Sequence, residues 1–198
     1  MEHTEAGSLN LKIERVVLAG FMGAGKSTVG RLLARQLGWQ FFDADEVIQV
    51  RNQATIAEIF SSGGEAVFRR LEAETIHSLL VESHSVISLG GGALEISETR
   101  ELLLTDPATF LVFLDAPLDI LLQRCEQQPG AAIRPVLLER EKLQERFARR
   151  LQHFRRAHLI VPTSGISPTE AAMKIAAALP VDKTIGTEKV GQDLEHQN

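Results

Sequence analysis

Residues 20–27 read Gly-Phe-Met-Gly-Ala-Gly-Lys-Ser and match the spacing G-x-x-x-x-G-K-[ST]. The apolar run Arg15–Ala19 precedes this loop, and a helical pattern begins at about residue 26. A strand, a glycine-rich turn and a helix in this order are typical of α/β units with parallel strands. The segment therefore predicts a parallel sheet covered by helices.

A loop of this kind binds phosphate groups. Its glycines let successive backbone N–H groups point at phosphate oxygens, and the helix that follows adds donors and partial positive charge. Lys26 is predicted to reach the β- and γ-phosphates of ATP or GTP, and the Ser27 hydroxyl to bind Mg²⁺. The predicted nucleotide-binding residues of the loop are Gly23, Ala24, Gly25, Lys26, Ser27 and Thr28.

The rest of the chain continues the alternation of strands and helices. Strands are predicted at 15–19, 39–42, 85–89, 109–114 and 158–161. Helices are predicted at 26–37, 55–61, 64–82, 97–104, 117–126, 138–156 and 167–178. We therefore predict a three-layer α/β/α sandwich with a central five-stranded parallel sheet.

The length of 198 residues, with 44% hydrophobic and 24% charged residues, fits one globular domain. We place it at 12–180, between a flexible polar tail at 1–11 and a polar, disordered tail at 181–198. Residues 127–135 contain two prolines, a glycine and an arginine. They form either a plain connection between helices or, as their length favours, part of a lid at about 124–138.

The charge and the single cysteine exclude several classes. A net charge of -5 disfavours a nucleic-acid partner, which normally meets a basic face. Cys125 stands alone, so no intramolecular disulfide is possible and no structural zinc site is predicted. No apolar run has membrane-spanning length, and residues 1–10 lack the apolar segment of a leader. We expect a cytoplasmic monomer without membrane contact.

Acidic residues follow the second predicted strand. In extended geometry Asp43 and Asp45 face one side at the carboxyl edge of the sheet, where ligands of such sheets bind. They either hold Mg²⁺ through its waters or accept hydrogen bonds from a substrate hydroxyl; a helix cap is the structural alternative. Asp115 also ends a strand, but Pro117 favours an N-cap or turn there, and we predict no metal role for it.

The helix predicted at 64–82 carries two charges on its apolar face. Glu72 falls inside the sector formed by residues such as Phe68 and Ile76, and Arg69 projects beside it. A lone buried charge is costly, so Arg69 and Glu72 are expected to pair at their i,i+3 spacing. They form either a structural ion pair or a site where the Arg69 fork binds an anion.

Two further features point to the same region. Arg150 borders the apolar stripe of its predicted helix and is expected to point inward. Three glycines at 90–92 free the backbone after the strand predicted at 85–89, although a plain turn would explain them as well. We predict structural or surface roles for Cys125, His77 and His84.

These motifs together resemble the shikimate kinases. The resemblance is carried by the loop at 20–28, Phe-Asp-Ala-Asp at 42–45, Gly-Glu-Ala-Val-Phe-Arg-Arg-Leu-Glu at 64–72, the glycines at 90–92 and Ile-Arg-Pro at 133–135. It covers residues 14–178, and the order and spacing of the motifs are specific within the P-loop metabolite kinases. It implies a P-loop kinase fold with a lid, and Mg²⁺-dependent transfer of phosphate from ATP to shikimate, giving shikimate 3-phosphate for aromatic amino acid biosynthesis.

The resemblance also implies roles for single residues. Shikimate would contact Asp45, Arg69, Gly92 and Arg150, with both arginines on its carboxylate and Glu72 orienting Arg69. The metal would lie at Ser27 and Asp43. Arg134 in the lid would reach the transferred phosphate, Arg124 would stack on adenine, and Pro168 would border it. Lys26, Asp45 and Arg134 are the implied catalytic residues.

Gln152-His-Phe154 stands where the family usually shows Pro-Leu-Tyr, shortly after the arginine matching Arg150. Two other functions stay open: a kinase for another hydroxy acid such as gluconate, and a ligand sensor that keeps the fold without turnover. Arg69, Arg150 and Asp45 together favour a carboxylate with vicinal hydroxyls. We expect no helix-turn-helix partner ahead of the first strand, because the preceding segment is short and polar.

Overall fold

The structure is a computed structural model that describes residues 12–127 and 140–180. Within these ranges five strands form one sheet in the order β2-β3-β1-β4-β5, and every pairing is parallel. The strands are β1 Arg15–Ala19, β2 Gln40–Asp43, β3 Ser85–Ser88, β4 Thr109–Asp115 and β5 Leu159–Pro162. The predicted five-stranded parallel sheet is confirmed, with each strand end within one residue of its predicted place.

Helices cover the sheet in the predicted three-layer α/β arrangement. They are α1 Lys26–Leu37, α2 Ala44–Asn52, α3 Ile56–Leu79, α4 Ser97–Thr105, α5 Leu118–Glu126, α6 Arg140–Phe154 and α7 Pro168–Ala178, with a short 3₁₀ helix at Ala93–Glu95. None of the described helices is long and apolar enough to cross a membrane. The predicted tails, 1–11 and 181–198, lie outside the described residues.

Glycine at position 64 breaks α3. Gly64 has φ 71° and ψ -175°, a backbone conformation that other residues rarely adopt, so the helix changes direction there. The break confirms the predicted separation of a helix at 55–61 from one at 64–82. The first part starts at a capping box. The Thr55 hydroxyl accepts a hydrogen bond from the backbone N–H of Glu58, and the Glu58 carboxylate accepts one from the backbone N–H of Thr55.

Helix α2 was not predicted, and it corrects the geometry expected for the acidic pair. The chain leaves β2 at Asp43 and is helical from Ala44, so Asp43 and Asp45 do not share an extended segment. Instead Asp43 is the N-cap of α2 and its Oδ1 accepts from the backbone N–H of Asp45 at 3.1 Å. Asp45 and Glu46 then lie in the first helical turn, where carboxylates favour the helix dipole.

The core follows from this topology. Strands β1 and β3 are buried along their whole length, as expected for inner strands covered by helices on both faces. A second, smaller apolar cluster joins α2 to α3 through Ile48, Ile59 and Phe68. This cluster fixes the outer wall of the cavity described next, because Phe68 belongs to both.

Candidate active site

The loop between β1 and α1 has the backbone of a phosphate-binding loop. Gly23 and Gly25 adopt φ values of 75° and 87°, in the left-handed region that favours glycine. A side chain at Gly23 would also collide with the backbone carbonyl of Leu121, because α5 packs directly against the loop. The backbone amides at the start of α1 have no intrahelical partners and form an anion site with the helix dipole.

Lys26 lies over this loop. Its ammonium donates to the backbone carbonyls of Gly20 at 3.0 Å and Phe21 at 3.1 Å. Desolvation lowers the pKa of Lys26 to about 8, against the opposing effect of the nearby carboxylates of Asp45 and Asp43. A phosphate group on the loop would stabilise the charged ammonium, because opposite charges attract strongly in a partly buried site.

Ser27 and Asp43 meet at the start of α1. The Ser27 hydroxyl donates to Oδ2 of Asp43 at 2.6 Å. A hydroxyl and a carboxylate are hard oxygen donors, which suit Mg²⁺. The described residues contain no cluster of three or more acidic, histidine or cysteine side chains able to hold a metal.

A cavity of about 420 Å³ opens beside the loop, at the carboxyl ends of the strands. It brings together residues from both halves of the chain that the sequence predicts to bind nucleotide, metal or substrate. Its charged and polar lining includes Lys26, Ser27, Asp43, Asp45, Arg69, Glu72 and Arg150, together with the glycines at 90–92. Sequence patterns did not predict the apolar wall, which is formed by Ile56, Phe60 and Phe68 of α3.

Arg69 and Glu72 form the expected ion pair on α3. Nη1 of Arg69 lies 2.6 Å from Oε2 of Glu72, whose side chain is 1% exposed. Burial raises the pKa of Glu72, and the neighbouring Arg69 counteracts this shift. Oε1 of Glu72 has no hydrogen-bond partner in the described part of the chain. Because Arg69 itself lines the cavity, the pair is more than an internal salt bridge and presents a guanidinium to a ligand.

The glycines at 90–92 make room for these side chains. A methyl group on Gly90 would collide with Oε1 of Glu72, and one on Gly92 would lie within 2.8 Å of Cζ of Arg69. A plain turn would not need glycine at either position, since neither has a positive φ. The contacts therefore favour a role in the site over the plain turn.

Replacing Gly92 by alanine is expected to raise the KM for the acceptor about ten- to a hundredfold with little loss of thermal stability. The three atoms nearest the new methyl group all belong to the guanidinium of Arg69, the end of a flexible side chain, so we expect the fold to be kept while the guanidinium is displaced. Steady-state kinetics and a melting curve would measure both. Gly91→Ala is the comparison variant at the neighbouring glycine: its methyl group would lie an ordinary 3.5 Å from Arg150, so a smaller rise in KM is expected. Equal effects of both substitutions would contradict the prediction.

Arg150 points inward as predicted, with a side chain that is 11% exposed. Its partner, Glu95, was not predicted. Oε2 of Glu95 accepts from Nε of Arg150 at 2.8 Å, and Oε1 accepts from Nε of Arg149 at 2.9 Å. Glu95 ends the short 3₁₀ helix, which has no periodic sequence signal.

A second cavity of about 250 Å³ adjoins the other side of the loop. Arg124 and Pro168, the residues matched to the adenine site, both line it together with Ala24 and Thr28. Arg124 is held in place because its guanidinium donates to the Thr163 hydroxyl at 3.0 Å and to the Thr163 carbonyl at 2.7 Å. The two cavities share Gly23, Gly25 and Thr28, so a nucleotide on the loop would reach both.

Other predicted residues lie elsewhere. Asp115 ends β4 and lines neither cavity, and it does not cap α5, whose N-cap is Pro117 without a side-chain bond. Cys125 is buried against the loop, whereas His77 and His84 lie at the surface. Arg134 and most of the lid predicted at 124–138 lie outside the described residues, which stop at 127 and resume at 140.

Comparison with known proteins decides the family. The family model described as shikimate kinase matches residues 22–180. The shikimate kinase of Geobacter sulfurreducens is 42% identical over 164 residues, which are 81% of this chain and 88% of that protein. The chain belongs to the shikimate kinase family. ATP is therefore the phosphoryl donor that the family implies.

Solved structures agree with this membership in the shikimate kinase family. The shikimate kinase from Acinetobacter baumannii in complex with shikimate is 34% identical and superposes with a TM-score of 0.75, covering 83% of this chain and 91% of that one. A gluconokinase from Sinorhizobium meliloti superposes with a TM-score of 0.60 over 84% of this chain and 91% of its own, at 19% identity. The second likeness shows the fold alone.

Proposed function

We propose that the protein transfers the terminal phosphoryl group of ATP to the 3-hydroxyl of shikimate, forming shikimate 3-phosphate in aromatic amino acid biosynthesis. The observation that carries the proposal is the convergence of Arg69, Arg150 and Asp45 on one cavity with the phosphate loop. Guanidinium groups match the geometry of a carboxylate, and an aspartate accepts from a hydroxyl. A small hydroxylated acid fits this combination of groups.

On the donor side, the loop amides and Lys26 would hold the β- and γ-phosphates, while the cavity at Arg124 and Pro168 takes the adenine. Ser27 and Asp43 would hold Mg²⁺, which supplies positive charge to the phosphate oxygens during transfer. Arg134 is proposed to add a further positive charge from the lid. Positioning and electrostatic stabilisation of this kind account for most of the catalysis in phosphoryl transfer.

On the acceptor side, Arg69 and Arg150 would bind the carboxylate and Asp45 would orient the 3-hydroxyl toward the transferred phosphate. Asp45 lies close enough to Lys26 to raise the pKa of its ammonium. The same carboxylate therefore faces both the acceptor and the residue that binds the donor. A loose transition state requires little proton removal before the new bond forms, so orientation is its main proposed role.

The domain organisation, the oligomeric state, the absence of nucleic-acid binding and the location of the protein remain predictions from the sequence. These are the single domain at 12–180, the monomeric state, the lack of a nucleic-acid partner and the cytoplasmic location. Sedimentation analysis of the purified protein would measure the oligomeric state directly.

A coupled ADP-release assay with shikimate, gluconate and no acceptor tests the function. We expect Mg²⁺-dependent turnover with shikimate and little ADP release without an acceptor, because a closed site excludes water. Calorimetric titration of shikimate, with and without ADP, would run beside it. Turnover with gluconate but not shikimate would favour the sugar-acid alternative, and shikimate binding without turnover would favour a sensor.

A further inference from the structure

Glu95 joins two neighbouring arginines of α6 to the glycine loop. Its Oε2 lies 2.8 Å from both Nε and Nη2 of Arg150, and its Oε1 lies 2.9 Å from Nη2 of Arg149. Oε2 is also 3.9 Å from Nη2 of Arg69. A single carboxylate thus contacts both arginines that the proposed function assigns to the acid group of the substrate.

The contacts place Glu95 behind Arg150. Arg69 and Arg150 line the cavity of about 420 Å³ beside the phosphate loop. Among the described residues that form its lining, Glu95 is not included. Glu95 engages the Nε and Nη2 edge of Arg150, whereas Nη1 lies toward Gly91 on the cavity wall. The carboxylate therefore fixes one edge of the guanidinium and leaves the other available to a ligand.

Charge explains why this contact is needed. Burial lowers the pKa of Arg150, Glu95 opposes this shift, and the nearby Arg69 and Arg146 add to it by repulsion. Glu72 also attracts Arg150, but it forms its ion pair with Arg69. Without Glu95, the repulsion from Arg69 and Arg146 would therefore be opposed less strongly. The Phe21 ring adds weaker support, since it lies 5.7 Å from Cζ of Arg150, at the far end of a favourable cation–π distance.

We propose that Glu95 is a positioning residue, which holds Arg150 so that Nη1 faces the carboxylate of the bound acceptor. This inference rests on the proposed function. A substrate would otherwise have to order a long, flexible side chain, and such ordering weakens binding by about tenfold.

Glu95→Ala is expected to raise the KM for shikimate about tenfold, while kcat and the KM for ATP stay within about twofold of the wild type. Glu95→Gln keeps one acceptor oxygen and should give a smaller rise. Because Glu95 acts through Arg150, its removal in an Arg150→Ala background should change the KM little. Glu101→Gln is the matched control: Glu101 also pairs with an arginine, Arg156, which follows the end of α6, but both side chains are exposed, at 49% and 46%.

Several outcomes would overturn the inference. They are an unchanged KM in Glu95→Ala, an equal rise in Glu101→Gln, and a full effect of Glu95→Ala in the Arg150→Ala background. A fall in KM would mean that Glu95 competes with the substrate for Arg150, and would overturn it as well. A wild-type protein inactive on shikimate would overturn the proposed function and this inference together, whereas wild-type turnover with an unchanged KM in Glu95→Ala overturns the inference alone.

Discussion

Replacing Arg69 by alanine is expected to lower kcat/KM for shikimate by roughly a hundred- to a thousandfold while ADP binding stays close to that of the wild type. Arg69 is the cavity-lining partner of a carboxylate that is 1% exposed, so the substitution removes the charge facing the acid and leaves Glu72 buried without its cation. Steady-state kinetics and calorimetric titration with ADP would measure the two effects.

Two variants make the Arg69 experiment interpretable. Arg69→Lys keeps the charge but loses the bidentate fork, so it should recover only part of the activity. Arg70→Ala is the matched control, since Arg70 is the next residue, has a side chain that is 68% exposed, and lies 3.9 Å from its partner Glu74. Wild-type activity in Arg69→Ala would contradict both this prediction and the assignment of the acceptor site.

Replacing Lys26 by methionine is expected to reduce kcat by about a thousandfold, with the fold retained. Methionine fills similar space but cannot donate hydrogen bonds. It would lose those that the Lys26 ammonium donates to the carbonyls of Gly20 and Phe21, at 3.0 and 3.1 Å, and any to a phosphate. Single-turnover kinetics at saturating ATP would show whether the chemical step is slowed. A melting curve of the same variant would measure the retention of the fold.

Lys174→Met on the exposed face of α7 is the matching control for lysine removal and should leave kcat unchanged. A Lys26→Met variant that loses ATP binding but keeps a normal kcat would contradict the prediction. Such a result would mean that Lys26 stabilises the bound nucleotide and the transition state equally.

The elements predicted correctly have signals that are local in sequence. The loop at 20–27 and the apolar strands are such elements, because glycine spacing and β-branched runs act on the backbone directly. Arg69 and Glu72 were also predictable, since a charge on an apolar helix face must find a partner. The position of these elements around one cavity follows from the parallel order of the strands.

The parts that sequence reasoning missed depend on contacts between distant residues or on competing local signals. Helix α2 follows β2 without a connecting residue, and the sequence of Phe-Asp-Ala-Asp is compatible both with an extended segment and with the helix cap that Asp43 forms. Glu95 lies 55 positions from Arg150, and no periodic pattern distinguishes it from the other acidic residues of the chain. The contact between Glu95 and Arg150 depends on the tertiary structure, in which α6 packs against the 3₁₀ helix.

The contacts at residues 90–92 also limit how the acceptor specificity of this protein could be redesigned. Side chains at Gly90 and Gly92 would collide with the charged groups of α3, so substitutions there would shrink or distort the cavity rather than extend it. Space for a bulkier acid has to come from the apolar wall of the cavity, where Ile56 and Phe60 precede the break at Gly64. Libraries aimed at new acceptors should therefore vary these two apolar residues and keep the glycines.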